Sequence, residues 1–459
     1  MLRLYFIIIV VLIAGGRIPA SAGAQRVNTP SIYYVDCEGD DRNDGLSPQT
    51  PWRSVNRAHR AGFLPGDTLL FKRRCLFAGP LTASWSGTFD QPITIGSYGN
   101  GAKPRIVLNA HGTIKSAIGV TVTGSHLTIQ DLAVTLTNPY REPTCTQADG
   151  SGVPLGWYVG FSLGTPGDPA DHIVLRSIEA YHLALGVHLA DGSSHNKVVN
   201  SHFHDLTALW RLDAAKEALG ALGINLHGDD NEVGYNLFER NSAQCTMSDG
   251  NVQHYSAPFE IFNANRSLIH HNRAFDHRKH AEFGHDATHT SDDNVLAYNL
   301  FVSPRPDAVG PNIHGAANLF GPVNRTKIYN NTILFTGSGS QALVCDCSGD
   351  ATILNNILVA DWKAGFYKGV FTESNTIYWR VVGAPLVQFV NGSLSPTSRK
   401  IDPQFVNPAV SGGNYRLQST SPAVDTGMLE PMLSGWNRDL DGIATPQGEA
   451  VDIGAYELK

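Results

Sequence analysis

Nine short stretches repeat one pattern along the chain: Ile129-Gln130-Asp131-Leu132, Leu175-Arg176-Ser177-Ile178, Val199-Asn200-Ser201-His202-Phe203, Gly234-Tyr235-Asn236-Leu237-Phe238, His270-His271-Asn272-Arg273-Ala274, Ala297-Tyr298-Asn299-Leu300-Phe301, Tyr329-Asn330-Asn331-Thr332-Ile333, Leu354-Asn355-Asn356-Ile357-Leu358 and Glu373-Ser374-Asn375-Thr376-Ile377. Their Asn, Ser or Asp anchors are separated by 46, 24, 35, 36, 27, 32, 25 and 19 residues. That spacing is a base period in the low twenties lengthened by insertions, the mark of a repeat architecture. Each copy reads as a short strand preceded by another, such as Gly223-Ile224-Asn225-Leu226 or Phe259-Glu260-Ile261-Phe262. Two or three short strands per repeat predict a coil, and stacked coils about 4.8 Å apart give a parallel β-solenoid in which backbone groups pair above and below. An Asn at one corner of each coil would tolerate left-handed backbone and hydrogen-bond to the Asn of the next coil. A sandwich or propeller with Asn-rich turns leaves a short period carrying insertions of ten or more residues unexplained.

Composition agrees with this reading. The 459 residues include 46 Gly, 25 Pro and 30 Asn, too many chain punctuators for long helices. Charged residues are 16% against 42% apolar, which excludes a disordered acidic chain and a coiled coil. A formal charge of -7 without a Lys/Arg cluster gives no reason to expect a nucleic-acid partner. At the N-terminus Arg3 precedes an apolar run from Tyr5 to Ala14 and the small residues around Ala22 and Ala24, the order of a secretory signal peptide over residues 1–24. The expected address is secreted, periplasmic or cell-surface, with no membrane association after cleavage. Six cysteines (Cys37, Cys75, Cys145, Cys245, Cys345 and Cys347) then allow 15 disulfide connectivities. The absence of any CxxC pair argues against a structural zinc cluster.

The two ends differ from the repeats. Tyr33–Asp36 and Gly66–Lys72 read as strands, and Thr50–Ala58 as a short N-capped helix with Pro51 at its start, suited to closing an open solenoid end. The stretches Tyr34-Val35-Asp36, Asn43-Asp44-Gly45, Thr50-Pro51-Trp52, Pro65-Gly66-Asp67-Thr68 and Pro92-Ile93-Thr94-Ile95 resemble the first segment of secreted right-handed parallel β-helix proteins of the pectin-lyase-like superfamily. Asp402-Pro403-Gln404-Phe405, Tyr415-Arg416-Leu417, Ser421–Gly427 and Asp452–Glu457 resemble the closing segment of the same proteins. The resemblance covers the mature chain. It implies an all-β right-handed parallel β-helix, with an N-terminal cap containing a short helix and an irregular C-terminal cap. The expected organisation is a signal peptide at 1–24, N-terminal cap and first coils at 25–106, β-helix with loop insertions at 107–400 and closing segment at 401–459. Such proteins include polysaccharide lyases, glycoside hydrolases, uronan epimerases and non-enzymatic surface proteins, so fold alone leaves chemistry open. No Asp-Pro-His-Asp run of the alginate epimerase type is present, and Gly284-His285-Asp286 and Asp292-Asp293 occur without the other parts of a polygalacturonase set.

Insertions fall at 137–172, 205–222, 241–256, 277–295 and 303–317, and aligned corners would turn them into walls of a groove. Trp157, Tyr158, Trp210 and Tyr255, with His227 and His254, are the candidate substrate-binding residues. Seven of 18 His lie between His254 and His289. Within that region Glu260 and Glu282 are lone carboxylates on apolar strands. On equivalent strands of adjacent coils they would stand about 5 Å apart, the separation of a retaining glycosidase pair, whereas a diagonal placement would open the gap toward the inverting range; like charges as close as the first would raise one pKa to supply an acid. Lys279 and His285 complete the candidate catalytic set. The leading expectation is a glycoside hydrolase that needs no cofactor and acts as a monomer on an extracellular polysaccharide. A uronan lyase is the alternative, with calcium held by Asp229 and Asp230 together with Asp249, Asp292 or Asp293, and Lys279, Arg278 or a His as base. A third reading is a glycan-binding or surface protein without catalysis. His280-Ala281-Glu282 has the H-x-E form of zinc deaminases but lacks Pro-Cys-x-x-Cys, and a metal cluster drawn from His270, His271, His277, His280 and His285 is a further possibility.

Overall fold

The computed structural model describes residues 29–109, 116–137, 157–207, 209–212, 218–246, 252–305, 315–429 and 437–459, with only the backbone described at 209–212, 218–219, 244–246 and 252–254. The signal-peptide expectation at 1–24, Cys145 and Asp249 fall outside these residues. One coil shows the plan. Leu222–Leu226, Glu232–Gly234 and Leu237–Glu239 form three short strands. The first pairs in parallel with Leu185–Leu189 and Ala257–Phe262, the second with Lys197–Val199 and Leu268–His270, and the third with His202–His204 and Arg273–Phe275. Repetition along the chain joins first and second legs into a 21-stranded sheet and third legs into a 12-stranded one. The fold is therefore the expected all-β parallel β-helix.

Inward side chains stack in rows because coils repeat in register. Val187, Ile224, Phe259, Ala281, Ala317 and Leu343 follow one another on the first leg, all 0–1% exposed. Each large member contributes about 1.5–3 kcal/mol by leaving water. On the third leg Phe203 and Phe238 stack with ring centroids 5.0 Å apart. Glycine makes room for these rings: a Cβ on Gly186 would lie 2.5 Å from Phe203, and one on Gly223 would lie 2.5 Å from Phe238.

The corner ladder forms, with one correction. The Oδ1 atoms of Asn236, Asn272, Asn299, Asn331 and Asn356 each accept the backbone N–H of the equivalent residue one coil earlier, at 2.9–3.0 Å. The left-handed residue is the one before each ladder side chain: Tyr235, His271, Tyr298, Asn330 and Asn355 have φ of 49–59°. Asp131, Ser177 and Asn375 take that preceding position too, so the ladder equivalents there are Leu132, Ile178 and Thr376. A second ladder, unread in the sequence, runs through Asn196, Asn231, Ser267 and Asn294 at the corner between first and second legs.

At the N-terminal end the helix spans Val55–His59 and its cap is Ser54, whose side chain accepts from the Arg57 N–H. The expected start at Thr50-Pro51 is too early. Trp52 is 1% exposed and its backbone pairs with Tyr34 and Asp36, which holds that stretch extended. A disulfide joins Cys37 to Cys75, and another joins Cys345 to Cys347. The closing segment runs back along the coils: Phe405, Tyr415, Leu417, Leu440, Ile453 and Ala455 cover Leu300, Leu334, Ile357 and Ile377. No helix among the described residues is long and apolar enough to cross a membrane.

Three of the expected insertions, 205–222, 241–256 and 303–317, leave a third-leg strand and return to a first-leg strand, so they share one corner. Two contain antiparallel hairpins, Leu209–Leu212 with Ala218–Gly220 and Ala243–Thr246 with Val252–Tyr255. The stretches 137–172 and 277–295 are different, because each contains a first-leg strand of its own, Trp157–Leu163 and Ala281–Gly284.

Candidate active site

Five first-leg strands carry the site, and each has one polar residue in an apolar setting: Ser162, His188, Asn225, Glu260 and Glu282. Side chains alternate along a strand, so with Phe161, Val187, Ile224 and Phe259 inward these polar residues face outward. Register places all five in one row: Ser162 pairs with His188, His188 with Asn225, Asn225 with Glu260, and Glu260 with Glu282. The two glutamates are thus on adjacent strands at equivalent positions, with backbones about 4.8 Å apart. The condition set from the sequence for a close carboxylate pair is met.

Each carboxylate has its own partner. The Tyr255 hydroxyl donates to Glu260 Oε2 at 2.8 Å, and Lys279 Nζ donates to Glu282 Oε2 at 2.9 Å. Lys279 also lies 5.2 Å from the centre of the Tyr255 ring, which ties the two partners together. Tyr255 ends the second hairpin and covers the apolar outer row of Val159, Leu185, Leu222 and Ala257, while Trp157 packs on the same row. Trp157 meets His188 edge-on at 5.2 Å, and His188 in turn lies 5.6 Å from His227. Burial, with His227 adding to it, pushes His188 down to about 4, so its imidazole is neutral at pH 7. His188 Nδ1 and Asn225 Oδ1 are buried and have no hydrogen-bond partner among the described residues. Unsatisfied polar atoms beside a carboxylate pair are the kind of feature a ligand completes.

The sequence reading missed His188 and Asn225. A signal was available: Leu185-Gly186-Val187-His188-Leu189, Leu222-Gly223-Ile224-Asn225-Leu226 and Ala257-Pro258-Phe259-Glu260-Ile261 align with the polar residue in one column. Other candidates fall elsewhere. Tyr158 is 1% exposed in the main core, which corrects its assignment to substrate binding; Trp157, one residue earlier, is the outward ring. His285 lies beyond the Glu282 strand, with Nδ1 donating to the Asp286 carbonyl. His227 sits at the edge of the row, 3.4 Å from Asp191. For Trp210 and His254 the backbone lies in the two hairpins, and their side chains are outside the described residues.

The candidate calcium ligands are engaged by cations of the chain itself. Arg266 binds Asp230 through Nε and Nη2 at 2.8 Å and Asp229 through Nη2 at 3.0 Å. Arg325 pairs with Asp293, and Asp292 accepts from Asn324. The histidine-rich segment does not converge either. His277 and His280 are fully buried, His280 stacking on Phe301 at 4.9 Å, whereas His271 bonds to the Arg438 carbonyl of the closing segment.

No family model matches the chain. Over 101 residues it is 31% identical to a lacto-N-biosidase of Bifidobacterium longum subsp. longum, a stretch that is 20% of this chain and 6% of that protein. The chain therefore spans a small part of that relative. Among solved structures it is similar to the native GH136 lacto-N-biosidase of Eubacterium ramulus, with a TM-score of 0.56 and 14% identity over 80% of this chain and 67% of that one. It is also similar to pectate lyase Pel9A, with a TM-score of 0.53 and 16% identity over 95% and 98% of the two chains. The fold these structures share with the chain is the parallel β-helix. At such identities the likeness to these carbohydrate-active enzymes concerns the fold, and chemistry has to be argued from the site. In this parallel β-helix the candidate site lies on one sheet face beside the hairpin corner.

Proposed function

We propose that the chain is a glycoside hydrolase that cleaves an extracellular glycan through the Glu260 and Glu282 pair. The observation that carries the proposal is their placement at equivalent positions on adjacent strands. That separation suits a retaining mechanism, in which one carboxylate attacks the anomeric carbon while the other protonates the leaving oxygen, and water then releases the sugar. Glu282, ion-paired with Lys279, suits the nucleophile, and Glu260, held by the Tyr255 hydroxyl, suits the acid. His188 and Asn225 would bind sugar hydroxyls, and Trp157 offers an aromatic surface.

The test is incubation of the purified chain with neutral and uronic glycans, including a lacto-N-biosyl glycan because similar proteins carry that name, with and without chelator. New reducing ends, retained anomeric configuration by NMR, and loss of at least 100-fold in kcat/KM in Glu260→Gln and Glu282→Gln are expected. Unsaturated uronic products would overturn the hydrolase and make Lys279 the base of a lyase. Glycan binding without turnover would reduce the site to a binding groove.

A further inference from the structure

A second cluster lies on the 12-stranded sheet of third legs, away from the carboxylate row. In His202–His204 the middle residue, Phe203, is buried in the core, so both imidazoles face outward two residues apart. Glu179 is the register partner of His202 one coil earlier. One donor atom from each of Glu179, His202 and His204 lies within 4.8 Å of the other two. We infer that these three residues form a site for a divalent transition metal of the zinc class.

The surroundings are those of a ligand set. His204 Nε2 is 2.9 Å from Glu179 Oε1, while its Nδ1 is 2.7 Å from Asp205 Oδ2. His202 Nε2 is 3.1 Å from Glu239 Oε1. Each imidazole thus has a carboxylate that fixes its orientation through one nitrogen and leaves the other for coordination, the outer-sphere arrangement of metal-bound histidines. Arg240 holds both orienting carboxylates, 3.0 Å from Asp205 and 2.5 Å from Glu239. Tyr181 stacks on His204 at 5.0 Å and limits its rotation. Zinc–nitrogen and zinc–oxygen bonds of about 2.0–2.2 Å require only small side-chain rotations to draw these donors together. Two imidazoles and one carboxylate favour zinc-class cations over calcium or magnesium, which take oxygen ligands. The metal would clip two neighbouring coils.

The test uses the chain freed of metal by chelator and dialysis, titrated with Zn²⁺ alone by calorimetry and with Co²⁺ by visible absorption. One equivalent bound at this site, a Zn²⁺-dependent rise in Tm and a Co²⁺ d–d band are expected. His202→Asn with His204→Asn should abolish that equivalent, and Glu179→Gln should raise the apparent Kd at least 10-fold with the fold intact by circular dichroism. Asp205→Asn should weaken binding about 10–100-fold. The exposed Asp171, His172 and His195 group at another corner is the control, and His172→Asn should leave the equivalent in place. Absence of stoichiometric binding by the folded chain, binding unchanged in Glu179→Gln, or loss that follows His172→Asn would each overturn the inference.

Discussion

Asn299→Ala should lower stability by about 3 kcal/mol, and the figure follows from the ladder bonds it removes. The Asn299 Oδ1 accepts from the Asn272 backbone N–H at 2.9 Å and from Asn272 Nδ2 at 3.0 Å. Its Nδ2 donates to the Ile269 and Ala297 carbonyls and to Asn331 Oδ1. The residue is 0% exposed, so water cannot replace these partners. The orphaned Asn272 N–H alone costs about 1–3 kcal/mol, and the carbonyls and vacated volume add to it. Urea denaturation read by circular dichroism measures the loss, and hydrogen exchange at Asn272 reports it locally. Asn299→Asp separates the ladder argument from mere space filling. It keeps shape and acceptor but directs a carboxylate at two carbonyls, so it should be worse than alanine. A loss below about 1 kcal/mol for alanine, or a tolerated aspartate, would refute the reasoning. The exposed Asn391→Ala should change stability by less than about 0.5 kcal/mol.

Other predictions concern the closing segment, the core and the site. Burial holds Glu457, 6% exposed, up to about 7 against an ordinary 4.5. Because the folded chain keeps a proton that the unfolded chain has released, stability should fall as pH rises from about 4.5 to about 7, by about 3 kcal/mol in all. Thermal melts across that range should show the slope, and Glu457→Gln should flatten it. Gly223→Ala places a Cβ 2.5 Å from Phe238 and 2.6 Å from the Pro258 carbonyl, and should cost about 1–3 kcal/mol by urea denaturation. Tyr255→Phe removes only the hydroxyl on Glu260; under the hydrolase proposal kcat/KM should fall about 10–100-fold with Tm nearly unchanged. A wild-type rate in that variant would count against a role for the Tyr255 bond.

The repeat was legible because a solenoid writes its geometry into the chain. Each coil must turn the same corner, so Asn recurs at Asn236, Asn272, Asn299, Asn331 and Asn356, and polar Glu260 and Glu282 stand out on strands that are otherwise apolar. Local sequence could not decide which of two adjacent rings faces out. Trp157 and Tyr158 are both aromatic, and the register and pleat of the sheet sent the first to the surface row and the second to the core. Nor could it show that Asp229 and Asp230 meet Arg266, 36 residues or more away, because that contact exists only after one coil stacks on the next. The sequence by itself determined the coil period and the polar residues available to the outer face. Tertiary structure decided which of them become neighbours: insertions of unequal length separate equivalent positions by 20 to 46 residues in the chain, while hydrogen-bonded register returns them to about 4.8 Å in space.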